Sequence, residues 1–329
     1  MHMLLFAALL LIQWTPGDAD AQNFQLPIDC TVGEVCVVQN YADANPSAGA
    51  GDDPQCGPLS YDGHDGLDFR VPAALARRGV NVLAPAAGVV LGVRDGEPER
   101  AFLDRGAAAV ADRECGNGVR IAHGGGWSTQ LCHMRAGSLR VARGERVSAG
   151  QVLGLVGLSG QTEFPHVHLT LFRNERKIDP LTGGALADLR CGPRGADAGS
   201  HWSAAARQAL AYRGARLFSL GFTGAAPNAN ARVEDLPANA AVNAPALVFW
   251  ALASGPRDGD VLRVRLYGPD GALVGEGERI QPRDQAQASM FAGRRTPAGG
   301  WASGRYRGVA ELLRDGRVLQ TRTETMELR

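Results

Sequence analysis

Short apolar runs, broken by glycines and turn residues, recur along this chain from Gly57 onward. Val80–Ala84, Gly88–Arg94, Gly118–His123, Trp127–His133, Arg146–Val156 and His166–Phe172 each predict a strand. Within them, Val152 to Gly157 reads as a buried strand closing on a turn. No strand–helix alternation repeats, which excludes a parallel doubly wound sheet. Residues 22–56 carry Asp, Asn, Pro and Gly and predict an irregular segment with one strand at Glu34–Gln39. The insert between Asp95 and Cys115 predicts a short helix at Ala107–Asp112, and Ala204–Ala215 predicts another.

From Ala246 the pattern changes. Leu247–Leu252, Val261–Tyr267, Leu273–Ile280, Ala286–Ala292, Gly304–Leu313 and Val318–Leu328 predict strands, punctuated by hairpin turns at Pro269-Asp270-Gly271 and Arg314-Asp315-Gly316. Leu262, Val264 and Leu266 form one apolar face. The chain is therefore expected to be mainly β: an antiparallel domain over 57–190, a connection over 191–231, and an immunoglobulin-like β-sandwich over 232–329. The last follows an Ala/Asn/Pro-rich linker and holds no histidine, so it is expected to be separable and to serve targeting rather than chemistry.

The N-terminus is apolar from Met3 to Ile12, too short to span a bilayer, and Ala19-Asp20-Ala21 is a small-x-small site. Residues 1–21 thus read as a signal peptide cleaved after Ala21, with a periplasmic or secreted product and no membrane span in the mature chain. Six cysteines follow, an even number suited to disulfides in an oxidising compartment. The expected pairing is Cys30–Cys36, Cys56–Cys115 and Cys132–Cys191, the last bracing the wall beside His133. Net charge is zero and Lys177 is the single lysine, so no electrostatic footprint for nucleic acid is present.

Four of the seven histidines concentrate the chemistry. His64 and Asp68 lie four apart with Gly66 midway; if extended, they share a face without bulk between them. His166 and His168, two apart in a predicted strand, also share a face, and His133 stands between the clusters. Two histidines and a carboxylate are the ligand set of a zinc ion that keeps one position open, which leaves two histidines for proton work. Either cluster alone is compatible with a plain sheet face. His123 fits a structural role better than ligation, His201 has no partner cluster, and His-Glu-x-x-His is absent. Gly157-Leu158-Ser159-Gly160 fails as a nucleophile elbow because Gln161 stands where glycine is required.

From Tyr61 to Pro180 the chain resembles the lysostaphin/LytM-type zinc metallopeptidases, which cut peptidoglycan. The resemblance rests on His64-x-Gly66-x-Asp68, Val82 to Val90, Gly116 to His123, Gly144-x-x-Val147-x-x-Gly150-Gln151-x-x-Gly154, Pro165-His166-x-His168 and Asp179-Pro180. It implies Zn2+ held by His64, Asp68 and His168, with His133 and His166 as the catalytic pair, in a narrow groove of a β domain. It implies stem peptides or cross-bridges of peptidoglycan as substrate. Leu131 stands where that family has tyrosine, so that phenol must be absent or supplied elsewhere. Two alternatives share the scaffold: a non-catalytic wall-binding or amidase-activating protein, and a secreted protease acting on Gly-rich proteins.

Overall fold

Two hydrophobic cores organise the chain, one for each β unit, with a smaller apolar cluster joining them. The structure is a computed structural model that describes residues 22–192, 198–225, 227–228, 232–238 and 240–329. The signal peptide expected over residues 1–21 lies outside the described residues.

The first unit contains β1 (Val37–Asn40), β2 (Leu67–Arg70), β3 (Asn81–Leu83), β4 (Gly88–Arg94), β5 (Asn117–Gly124), β6 (Trp127–Met134), β7 (Arg146–Val147), β8 (Val152–Leu155), β9 (His166–Arg173) and β10 (Arg176–Ile178). Its main sheet runs β1-β2-β9-β6-β5-β4-β7, with β10 paired to β9. Strands β3 and β8 form a separate pair, and every pairing in both sheets is antiparallel. The run expected to be one strand over Arg146–Val156 is two, because the turn at Ser148–Gln151 hands the chain from one sheet to the other. The central strand β9 sends Val167, Leu169 and Leu171 into the core and leaves His166, His168 and Thr170 on the opposite face. The insert forms α2 (Ala101–Arg105) and a 3-10 turn at Ala107–Val110, and α1 (Ala73–Arg78) follows β2.

The second unit contains β11 (Arg216–Thr223), β12 (Ala246–Ser254), β13 (Val261–Tyr267), β14 (Leu273–Ile280), β15 (Gln287–Arg295), β16 (Gly304–Arg314) and β17 (Arg317–Leu328). One antiparallel sheet is β11-β12-β15, the other β14-β13-β16-β17. Leu247, Phe249, Ala251 and Ala253 of the first face Leu262, Val264 and Leu266 of the second across a shared core. Strand β11 lies within 191–231, so the sheet begins before residue 232. Its strand-like run was hidden because the Ala/Asn/Pro-rich segment follows it rather than precedes it.

The two units are packed together. Strand β12 is buried along its whole length because both its faces are used. Trp250 and Leu252, on the face away from the sandwich core, join Phe218 and Val233 against Val37 of β1. Polar contacts reinforce this. Buried Arg70 pairs with Glu234 at 2.7 Å and donates to Gln287 Oε1 at 2.7 Å, and Gln39 donates to the Ala286 carbonyl at 2.7 Å. The sandwich is thus anchored to β1 and β2, at odds with the expectation of a module tethered by a linker.

The disulfides are Cys30–Cys36, Cys56–Cys191 and Cys115–Cys132. The first matches expectation; the pairings Cys56–Cys115 and Cys132–Cys191 do not form. Cys115 precedes β5 and Cys132 lies on β6, and the pairing of those two neighbouring strands brings the cysteines together. Cys56 is left to hold the chain after the 3-10 turn Leu186–Asp188 against the N-terminal loops.

Candidate metal centre and its surroundings

The register of four adjacent strands builds the site. Asn40 pairs with Asp68, Asp68 with His168, and His168 with Cys132, so residues as far apart in sequence as Asn40 and His168 stand in one row across β1, β2, β9 and β6. His64, on the loop before β2, closes over that row. Asp68 Oδ1 lies 2.8 Å from His168 Nδ1 and 3.1 Å from His64 Nε2, and those two nitrogens are 3.1 Å apart. Candidate ligand atoms of the three residues all lie within 4.8 Å of one another, and all three side chains are buried. Gly66 is required here by close approach: a Cβ would sit 2.3 Å from the Leu169 carbonyl and 2.7 Å from the His168 ring.

The outer contacts orient each candidate ligand. His64 Nδ1–H donates to the Tyr41 carbonyl at 2.6 Å, which leaves the Nε2 lone pair toward the cluster. His168 presents Nδ1 to the cluster, while its Nε2–H faces Asp65 Oδ1 at 3.1 Å and Thr170 Oγ1 at 2.9 Å. Lys177 in turn pairs with Asp65. Asn40 Nδ2 donates to Asp68 Oδ2 at 2.8 Å, so one carboxylate oxygen is tied and Oδ1 faces the imidazoles. Burial alone would raise the Asp68 carboxyl, but His64 and His166 outweigh it and hold it well below the ordinary carboxylate range. Burial alone would lower the His168 imidazole; Asp65 and Asp68 outweigh that and raise it to about 9. Such hydrogen-bonded imidazoles and carboxylates are the donor set that divalent zinc takes, so the residues fit that ion.

His133 and His166 lie beside the cluster with ring centroids 4.6 Å apart. Each has its Nδ1–H on a carbonyl, His133 on Ser159 at 2.8 Å and His166 on Phe164 at 2.9 Å. Thr162 Oγ1 also stands 3.0 Å from His166 Nδ1. His133 reaches this face only because its backbone is left-handed, φ 62°. Strict alternation along β6 would place it with Leu131, which is buried in the core and leaves no phenol there. The Cys115–Cys132 bridge and the bond from the His133 N–H to the Cys115 carbonyl, 2.8 Å, hold this departure. Burial, with His166 and His168 nearby, keeps the His133 imidazole well below its ordinary range, hence neutral.

A cavity of about 330 Å3 opens here, lined by Asp68, His166, Tyr61, Phe164 and, from the sandwich, Ala286 and Gln287. His123, bonded to the Ala87 carbonyl and Thr129, and His201, stacked on Trp127, lie apart from the cluster. Asn40, Asp65 and Ser159 were not singled out from the sequence for these roles. Asp65 sits inside the first cluster and could have been found there; Asn40 and Ser159 carry no motif.

Residues 62–180 match the family model described as Peptidase family M23. The peptidoglycan DD-endopeptidase ShyA of Vibrio cholerae is 29% identical over 118 residues, covering 36% of this chain and 22% of that protein. An uncharacterized metalloprotease of Haemophilus influenzae is 29% identical over 119 residues, covering 36% of this chain and 20% of that protein. The match therefore spans about a fifth of the length of these curated relatives. The catalytic domain of the antimicrobial peptidase lysostaphin from Staphylococcus simulans is 20% identical, with 43% of this chain and 85% of that chain covered and a TM-score of 0.29. M23 peptidases are zinc-dependent, and the buried His-Asp-His cluster falls inside the matched segment. Across residues 62–180 the chain is therefore similar to the peptidases of family M23.

Proposed function

We propose that this protein is a periplasmic or secreted zinc metalloendopeptidase that hydrolyses peptide cross-links of peptidoglycan. The observation that carries the reading is the buried cluster of His64, Asp68 and His168, with neutral His133 and with His166 beside it, at a cavity that Asp68 and His166 line. In this reading His64 Nε2, Asp68 Oδ1 and His168 Nδ1 hold zinc. When bound, zinc supplies Lewis-acid polarisation of a peptide carbonyl and acidification of water. His133, with Nδ1–H fixed on Ser159, has Nε2 available to take a proton, and His166, fixed on Phe164, shares the developing charge across the cavity. Phe164 and Tyr61 line the cavity.

The intact ligand set favours hydrolysis over a purely wall-binding role. Three disulfides support an oxidising compartment, and among the described residues no helix is long and apolar enough to cross a membrane. The test is metal content of the purified protein together with muropeptide products from sacculi. Zinc near one per chain is expected, lost in His64→Ala and Asp68→Ala. His133→Ala and His166→Ala should keep zinc and lose on the order of 10²–10⁴ in turnover. Unchanged sacculi with the zinc-loaded protein, or full turnover in both of the latter variants, would overturn the reading.

A further inference from the structure

Beside the metal centre, between the peptidase unit and the sandwich, lies a second cavity of about 430 Å3. It abuts the first: Glu163, Phe164 and Gln287 line both. The Phe164 ring lies 4.9 Å from the His166 ring on one side and 4.2 Å from the Arg70 guanidinium on the other. The passage from His166 to the wall of the second cavity is therefore spanned by about three extended residues.

Among the charged residues lining this second cavity, six arginines stand against four acids. Three of the acids are already engaged. Glu234 is tied to Arg70 and to the Ala73 N–H. Asp235 is shared by Arg100 and Arg232, and Glu99 accepts the N–H groups of Ala136 and Leu158. The arginines are less fully used. The side chain of Arg279, from β14, forms no hydrogen bond or ion pair among the described residues. Arg77, from α1, reaches only the Glu234 carbonyl, at 3.5 Å. Both side chains belong to exposed residues and come from opposite sides of the junction. An arginine fork with unused N–H groups is matched to a carboxylate, which takes two of them at once. The contacts of Arg70 and Gln39 to the sandwich hold the two sides together, so the cavity is formed in advance of any ligand.

We infer that this cavity continues the substrate groove and binds a segment of an extended peptide that carries a free carboxylate, recognised by Arg77 and Arg279. The inference rests on the reading of the chain as a peptide hydrolase. It gives the sandwich a part in substrate selection: without β14 and the 281–287 turn the cavity loses one wall.

The test uses the full-length, zinc-loaded protein, its double variant Arg77→Gln/Arg279→Gln, and two soluble probes. One probe is a cross-linked muropeptide dimer with free carboxylates; the other is the same dimer with those carboxylates amidated. For the wild type, amidation should raise KM about tenfold with kcat little changed, the effect of one lost charge-assisted pair. In the double variant both probes should show that higher KM, with circular dichroism unchanged. Equal KM for the two probes in the wild type, or an undiminished preference in the variant, overturns the inference. Equilibrium binding of both probes to full-length His133→Ala protein, with and without the two arginine substitutions, reads the cavity without cleavage. About tenfold weaker binding on amidation, abolished as a preference when the arginines are lost, supports it; equal or absent binding overturns it. Failure of the hydrolase reading shows separately, as absence of cleavage of either probe by the wild type.

Discussion

Replacing Glu234 by alanine should loosen the sandwich from the peptidase unit. Glu234 and Arg70 are 2.7 Å apart, with side-chain exposures of 10% and 3%. Removing the carboxylate leaves a buried guanidinium with only neutral acceptors, Gln39 Oε1 at 3.1 Å and Gln287 Oε1 at 2.7 Å, and the rings of Phe164 and Phe218. Breaking a buried pair by deleting one partner costs about 3–5 kcal/mol. The remaining acceptors and rings offset part of this, so about 3 kcal/mol is expected, roughly a hundredfold in the docked-to-undocked ratio. Spread over a unit of this size, that lowers the unfolding midpoint by about 6–12 °C. Calorimetry of the full chain, followed in parallel by the fluorescence of interface residue Trp250, reads both docking and unfolding. The Arg70→Met/Glu234→Met variant separates lost charge compensation from lost contact, because an apolar pair needs no counter-charge; it should recover most of the loss. A Glu234→Ala midpoint within one or two degrees of wild type, about the size of a neutral surface change, would refute the reasoning, since Arg70 would then be satisfied without its partner.

Asn40→Ala frees the second oxygen of Asp68 and should weaken zinc binding about 10–100-fold, measured by competition with a chelator; unchanged affinity would show that β2 alone orients the carboxylate. Converting Cys115 and Cys132 to serine opens a loop of sequence separation 17, worth about 3 kcal/mol, and should lower kcat more than zinc content because it releases the left-handed His133; equal kcat would mean that the hydrogen bond to Cys115 suffices. Burial holds the imidazoles of His123 and His201 below their ordinary range. The unfolded chain therefore takes up more protons than the folded one as pH falls through about 6.5, and stability should decline below that pH. His123→Gln should flatten this decline in thermal melts between pH 7 and 5; superimposable profiles would exclude His123 as a contributor.

Much of this protein was legible in its sequence because strand periodicity is local. The alternation of Leu262, Val264 and Leu266 gave one buried face without knowledge of the partner strand, and that face is buried. The same rule placed His166 and His168 together; Gly66, read as leaving no bulk between His64 and Asp68, is in the structure also the point of close approach to the His168 ring. What only the tertiary structure decided depends on register between strands far apart in the chain. That Asn40, Asp68, His168 and Cys132 form one row follows from how β1, β2, β9 and β6 align, and a one-residue slip would turn each side chain to the other face. Disulfide pairing has the same origin: Cys115 meets Cys132 because β5 lies beside β6, which no spacing of cysteines reveals. The run Leu247–Leu252 within β12 is wholly apolar, but the local pattern carries no information on what covers either face. The structure answers with Val37 of β1, because the apolar area left on the sandwich and on the edge of the peptidase sheet is removed from water only when the two meet.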